Sequence, residues 1–146
     1  MRLPDNSQFQ YQAPDFDELV TLFSNTRSWQ EKYRHLMLLG KQIPTLAKEY
    51  RVEAAQVDGC ESAAWLYHQQ INGKHYFIAD SDTRIVKGLI AILMAYFHGK
   101  NTDELPEQAI EMVFHNIGLS QQLSPSRTNG LQHITQQMQH KFVKLT

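Results

Sequence analysis

The stretch Ala63-Ala64-Trp65-Leu66-Tyr67-His68-Gln69-Gln70-Ile71-Asn72-Gly73-Lys74-His75-Tyr76-Phe77-Ile78-Ala79 decides the fold. Two runs rich in aromatic and aliphatic residues, Ala63 to Ile71 and His75 to Ala79, flank Asn72-Gly73. A tight two-residue hairpin turn needs positive φ at both central positions, which Asn and Gly adopt at low cost. Val52 to Val57 can add a short strand before them. The expectation is a small three-stranded antiparallel sheet whose first connection is Asp58-Gly59-Cys60-Glu61-Ser62.

Helical patterns lie on both sides of this sheet. Asp15 and Glu18 form a start signal ahead of Phe16, Leu19, Val20 and Phe23, which repeat at helical spacing. Ser28 and Glu31 open a second helix with Trp29, Tyr33, Leu36 and Met37 on one face, and Gly40 at its expected C-terminal cap. After the sheet, Asp80-Ser81-Asp82 is placed to cap a long helix from about Thr83 to His98, closed by Gly99. That helix is apolar almost all round, so it belongs in the middle of the fold. A further helix is expected from Pro106 to Ile117, with Gly118 as its cap. Ser124-Pro125 opens the last one, Ser as N-cap and Pro at the first helical position, with Leu131, Ile134, Met138 and Phe142 as its buried stripe. Helices, a small sheet, then helices give one α+β domain over residues 1–146. Residues 1–14 are polar and read as a loosely ordered N-terminal extension.

Composition excludes several classes. The 146 residues are 42% hydrophobic and 20% charged, with a formal net charge of −1, which argues against disorder and against a basic nucleic-acid footprint. The longest apolar run, Leu89 to Phe97, is shorter than the roughly 20 residues of a membrane span, and Met1 to Pro14 lacks the apolar core of a signal peptide. The default location is the cytoplasm. The seven histidines form no H-E-x-x-H pair, and one cysteine cannot supply a multi-cysteine metal motif or an internal disulfide. No metal and no cofactor are expected on this chain.

That one cysteine is either a small core hydrophobe or a reactive thiol. Cys60 sits in a polar turn where Gly59 lets the backbone bend and present a side chain. Its ionisable neighbours, Asp58 and Glu61, are acids and disfavour a self-activated thiolate. They suit a thiol that attacks an already activated sulfur with a partner's help. Asp80, Ser81 and Asp82 cap a helix in the simplest reading; alternatively they hold the cysteine loop or face a basic partner. Arg84 and Lys87 read as solvated charges. Arg127 is either in a surface ion pair or a guanidinium that steadies a sulfur anion near the loop.

The same residues, in order, resemble a known family. Gly59-Cys60-Glu61-Ser62 with Trp65, then Asp80-Ser81-Asp82 with Ile85-Val86-Lys87-Gly88-Leu89, then Leu123-Ser124-Pro125-Ser126-Arg127 with Asn129-Gly130-Leu131, are similar to the motifs of the SufE/CsdE sulfur acceptors. Trp29-Gln30-Glu31-Lys32-Tyr33 and Leu39-Gly40-Lys41 up to Pro44 resemble their N-terminal helix and its exit. The resemblance implies an IscU-like α+β fold and a role in iron–sulfur cluster assembly. It implies that Cys60 takes sulfane sulfur as a persulfide from a SufS- or CsdA-like cysteine desulfurase, stimulates that enzyme, and passes the sulfur to an iron–sulfur scaffold or another acceptor. Gly59, Glu61, Ser62, Asp80, Ser81, Asp82 and Arg127 would support the loop or touch the partner. Pyridoxal phosphate would belong to the desulfurase. On this reading the chain is a transpersulfuration partner and activator, not a stand-alone enzyme. Two other readings stand beside it: a partner-independent thiol hydrolase using Cys60 and a remote His, and a binding module whose cysteine is incidental.

Overall fold

The computed structural model describes residues 2–59, 63–120 and 123–142. Among these described residues, six α-helices and one hairpin follow the order α1 Asn6–Phe9, α2 Phe16–Ser24, α3 Trp29–Gly40, β1 Ala64–Ile71, β2 Lys74–Ser81, α4 Arg84–Phe97, α5 Ile110–Asn116 and α6 Pro125–His140.

The hairpin closes on Asn72 and Gly73, with φ of 52° and 82°, and pairs Ile71 with Lys74 through to Ala64 with Ser81. Among the described residues the sheet has two strands, not three. Of the segment expected to form a strand before them, Glu53–Ala55 is a turn of 3-10 helix, and only Gln56 bridges to Trp65. Two alanines and a glutamate are poor strand formers, and Ala55 turns inward to a buried site.

Side chains alternate across the hairpin, so each face meets a different cluster. Ala64, Phe77 and Ala79 pack with α4 and with Leu19, Phe23, Leu36, Ile134 and Met138 from α2, α3 and α6. Trp65, Tyr67 and Ile78 face the other way and join Leu46, Tyr50, Ala55 and Phe9. The N-terminal stretch is therefore not loosely attached. Phe9 is fully buried, and the Tyr11 hydroxyl donates to the Phe77 carbonyl at 2.7 Å. His98 accepts the Phe77 N–H at Nδ1, 3.0 Å, which leaves Nε2–H to donate to the Tyr11 carbonyl at 3.0 Å. The second sheet face has no long helix over it among the described residues, and Phe9 and Tyr11 share its apolar cover with Leu46, Tyr50 and Ala55.

α4 is the central helix, buried from Gly88 through Phe97. It crosses α3 with backbone against backbone: a Cβ on Gly88 would lie 2.8 Å from the Leu36 carbonyl carbon, and one on Gly40 would lie 3.2 Å from the Gly88 nitrogen. Gly40 is thus the last helical residue, ahead of a C-cap at Lys41, and close approach explains it better than capping. Asp15 and Ser28 do cap α2 and α3, accepting from the N–H groups of Glu18 and Glu31 at 2.9 and 3.1 Å. α5 starts at Ile110, later than Pro106, because the Tyr96 hydroxyl holds the carbonyls of Gln108 and Pro106, at 2.7 and 3.2 Å. Gly118, with φ of 77°, follows it as expected.

Candidate functional site

Cys60, Glu61 and Ser62 lie outside the described residues, so the site is read from the two ends that carry them. The chain leaves through Val57 and returns through Ala64, whose carbonyl accepts the Val57 N–H at 2.9 Å. With the Gln56–Trp65 bridge, this makes a narrow neck on the buried end of β1.

The returning end is held by the motif that follows β2. The Ser81 hydroxyl donates to the Ala63 carbonyl at 2.8 Å, and the Asp82 N–H reaches the same oxygen at 3.3 Å. Ser81 Oγ also accepts the Thr83 N–H at 3.2 Å, which links the neck to the start of α4. Asp80 and Asp82 do not cap α4; Thr83 is its N-cap residue. Asp80 is 1% exposed and cannot face a partner. One carboxylate oxygen accepts from the Leu46 N–H at 2.7 Å and from Arg51 Nη2 at 2.9 Å. The other accepts from the Ser81 N–H at 2.8 Å and pairs with Lys87 Nζ at 3.3 Å. Four donors compensate one buried charge, the condition under which such a charge is tolerated. Lys87 is therefore part of this anchor and not a solvated charge.

Arg51 completes the anchor. Its guanidinium spans Asp80 and, at 3.1 Å, Asp82, bonds the Leu46 carbonyl through Nε at 3.1 Å, and lies over the Trp65 ring 5.0 Å from its centroid. The planar five-donor fork suits this task where an ammonium would not. Arg51 carries no motif of its own, and its role is invisible in the sequence because the groups it joins are far apart along the chain.

The outgoing end turns at Gly59, φ +85°. Its α-carbon faces His133 of α6: a Cβ there would lie 2.5 Å from both Cδ2 and Nε2 of that ring. Arg127 is in the first turn of α6, where its backbone N–H donates to Ser124 Oγ at 3.3 Å. The side chain against Gly59 is thus His133. No sequence signal singles it out, because a loop and a helix some seventy residues apart meet only in the folded chain.

A family model described as SufE, Fe-S metabolism associated domain, matches residues 17–142. The chain belongs to the SufE family. It is 40% identical over 121 residues, 82% of both chains, to the sulfur acceptor protein CsdE of Escherichia coli (strain K12). A solution structure of a hypothetical protein from Thermus thermophilus superposes with a TM-score of 0.68, covering 89% of this chain and 94% of that one at 17% identity, which shows a shared fold. The SufE family match begins at Asp17, so the stretch through Phe9 that covers the second sheet face precedes it.

Among the described residues no three His, Cys, Asp or Glu side chains gather as a metal site, and no helix is long and apolar enough to cross a membrane.

Proposed function

We propose that this SufE-family chain is a sulfur acceptor: Cys60 takes sulfane sulfur as a persulfide from a cysteine desulfurase and hands it on. The observation that carries the reading is the setting of the chain's sole cysteine. It lies in a six-residue connection held at Ala63 by Ser81 and Asp82, in a chain 40% identical to a protein named as a sulfur acceptor. The anchored neck gives a reactive group a rigid base.

The chemistry is a thiol–persulfide exchange. The Cys60 thiolate attacks the terminal sulfur of the enzyme's persulfide, a new S–S bond forms, and the old one breaks to release the enzyme's cysteine as a thiolate. The sulfane sulfur changes owner with no net oxidation, so neither oxidant nor cofactor is consumed on this chain. Pyridoxal phosphate, which frees the sulfur from L-cysteine, resides in the desulfurase. Removing its persulfide clears the enzyme for another turnover, which is how an acceptor stimulates it. A single cysteine suits a carrier and not a cluster-building site, which takes several thiolate ligands. The acceptor's own product is a persulfide donor for iron–sulfur cluster assembly or another sulfur-accepting protein, in a cytoplasm that keeps the free thiol reduced.

The test is incubation with a cysteine desulfurase and L-cysteine, followed by intact mass and peptide mapping. The parent should gain one sulfur on the peptide containing Cys60 and raise sulfide release in the presence of a reductant. A Cys60→Ser variant that gains the sulfur or stimulates as well as the parent would overturn the reading.

A further inference from the structure

We propose that residues 2–13 form a strap over the second sheet face, clasped by His98, and that a proton on His98 releases the strap while the rest of the fold stays in place. The strap is held at a few places. Phe9 is fully buried against Leu46, Tyr50, Trp65, Tyr67 and Ile78. The Tyr11 hydroxyl donates to the Phe77 carbonyl at 2.7 Å, and its ring stacks on His98 with centroids 4.0 Å apart. Arg2 pairs with Glu49 at 2.9 Å, both exposed, a contact that contributes little in water. α1 has four residues, too few for a helix to persist alone, so the order of the strap comes from these contacts. The floor beneath has supports of its own. The Tyr67 hydroxyl donates to the Tyr50 carbonyl at 2.6 Å, the Leu46 N–H donates to the buried Asp80 carboxylate, and Arg51 lies over Trp65. None of these bonds involves the strap.

His98 is the joint between strap and sheet. Phe77 gives its N–H to His98 Nδ1 at 3.0 Å and its carbonyl to Tyr11, while His98 Nε2–H donates to the Tyr11 carbonyl at 3.0 Å. A proton on Nδ1 would set N–H against N–H. The ring must then turn away from Phe77, and the Tyr11 bond and the stacking go with it. Nothing facing His98 compensates a charge there. Tyr11 on the strap and Tyr76 on β2, edge-on at 5.3 Å, present neutral rings. The Lys100 cation disfavours an imidazolium, and Asp15, Asp17 and Glu104 act on Lys100. Burial is the largest influence and holds His98 down to about 4 in the closed state. In water the imidazole returns to its ordinary value near 6.5. A value lowered by closure means that closure is fully favoured above pH 6.5 and weakens as pH falls toward 4. The equilibrium constant for release should rise about 20-fold from pH 7 to 5 and about 100-fold by pH 4.

Amide hydrogen exchange followed by NMR, with intrinsic rates divided out, reads this release at single residues. The reporters are Gln8, whose N–H bonds the Asp5 carbonyl at 2.9 Å within the strap, and Phe77, whose N–H is held by His98. Leu93, in the centre of α4, reports unfolding of the whole domain. In the parent, protection at Gln8 and Phe77 should fall about 20-fold from pH 7 to 5 and stay below that of Leu93, with little response to dilute urea, as a local opening exposes little surface. The His98 imidazole, titrated by NMR in the same protein, should lose its proton over the pH range in which the strap closes. His98→Gln keeps an acceptor and removes the titration, so the same two amides should change by less than about threefold. Tyr11→Phe keeps the ring and loses the hydroxyl bond, so it should lower protection at pH 7 and keep the acid response. Exchange of Gln8 and Phe77 at the rate of Leu93 throughout would make the strap part of the global unit and overturn the proposal. Acid sensitivity that is absent in the parent, or that persists in His98→Gln, overturns it as well. Should circular dichroism show His98→Gln unfolded, a mismatch between the imidazole titration and strap closure in the parent does the same.

Discussion

Replacing Asp80 by Asn tests whether the buried carboxylate is the anchor of the cysteine loop. The substitution nearly preserves shape. Each carboxylate oxygen serves two donors: Leu46 N–H and Arg51 on one, Ser81 N–H and Lys87 on the other. An Asn side chain has one oxygen, and whichever way the amide is turned its NH₂ faces one of those pairs. One buried backbone N–H then loses its acceptor, at about 1–3 kcal/mol, and both cations lose this counter-charge, although Arg51 keeps Asp82. The Arg51 and Lys87 side chains are 25% and 17% exposed, so water recovers part of that second loss. The sum is about 3 kcal/mol, at the low end of the range for breaking a buried ion pair. In urea, with a slope of about 1–3 kcal/mol per molar, the unfolding midpoint should fall by about 1 M or more. Hydrogen exchange at Asp82, whose N–H donates to the Ala63 carbonyl, should accelerate with it. A stability loss below about 1 kcal/mol would refute the reasoning, since surface carboxylates lose no more than that.

Three further outcomes follow from the packing. His98 is held neutral chiefly by burial, its pKa pushed down to about 4 although the bond to the Tyr11 carbonyl favours the charged form, and the Phe77 N–H on Nδ1 needs that nitrogen unprotonated. The unfolded chain takes up this proton near pH 6.5 and the folded chain only near 4, so stability is complete above pH 6.5 and falls by about 3 kcal/mol on the way down to pH 4. His68, also lowered to about 4 chiefly by burial, titrates in the same window, so the measurement is the difference in urea midpoint between parent and His98→Gln from pH 7 to 4, which should narrow as pH falls. Phe9→Ala should cost about 3–5 kcal/mol by thermal or urea unfolding, as a fully buried aromatic does, whereas a loose N-terminal tail would show no change. Gly88→Ala sets a methyl against the Leu36 carbonyl, a backbone group that cannot rotate away, and should destabilise by about 1–3 kcal/mol or more.

Local signals are legible where the physics is local. Asn72-Gly73 encodes its turn through φ alone. Asp15, Ser28 and Ser124 encode caps through side chains that reach N–H groups three residues on. The apolar circumference of α4 places it at the centre. The third strand fails because its backbone needs a ladder partner and finds one bridge. Asp80 is ambiguous in sequence because a carboxylate before a helix has the same signature whether it caps that helix or is buried beside Arg51, Lys87 and Leu46. Gly40 and Gly88 can be recognised as small, but not as facing one another.

The sequence by itself determined the hairpin, the helix starts, the central apolar helix, the single thiol and, through ordered motifs, the family. Those rest on φ preferences, residue periodicity and short-range bonding, all of which act within a few residues. Only the tertiary structure decided what holds the two ends of the Cys60 connection: Ser81 and Asp82 on Ala63 with Asp80 and Arg51 beneath, and His133 on Gly59. Such partners are set by how elements pack, and a side chain's sequence neighbours do not specify which distant surface it will meet.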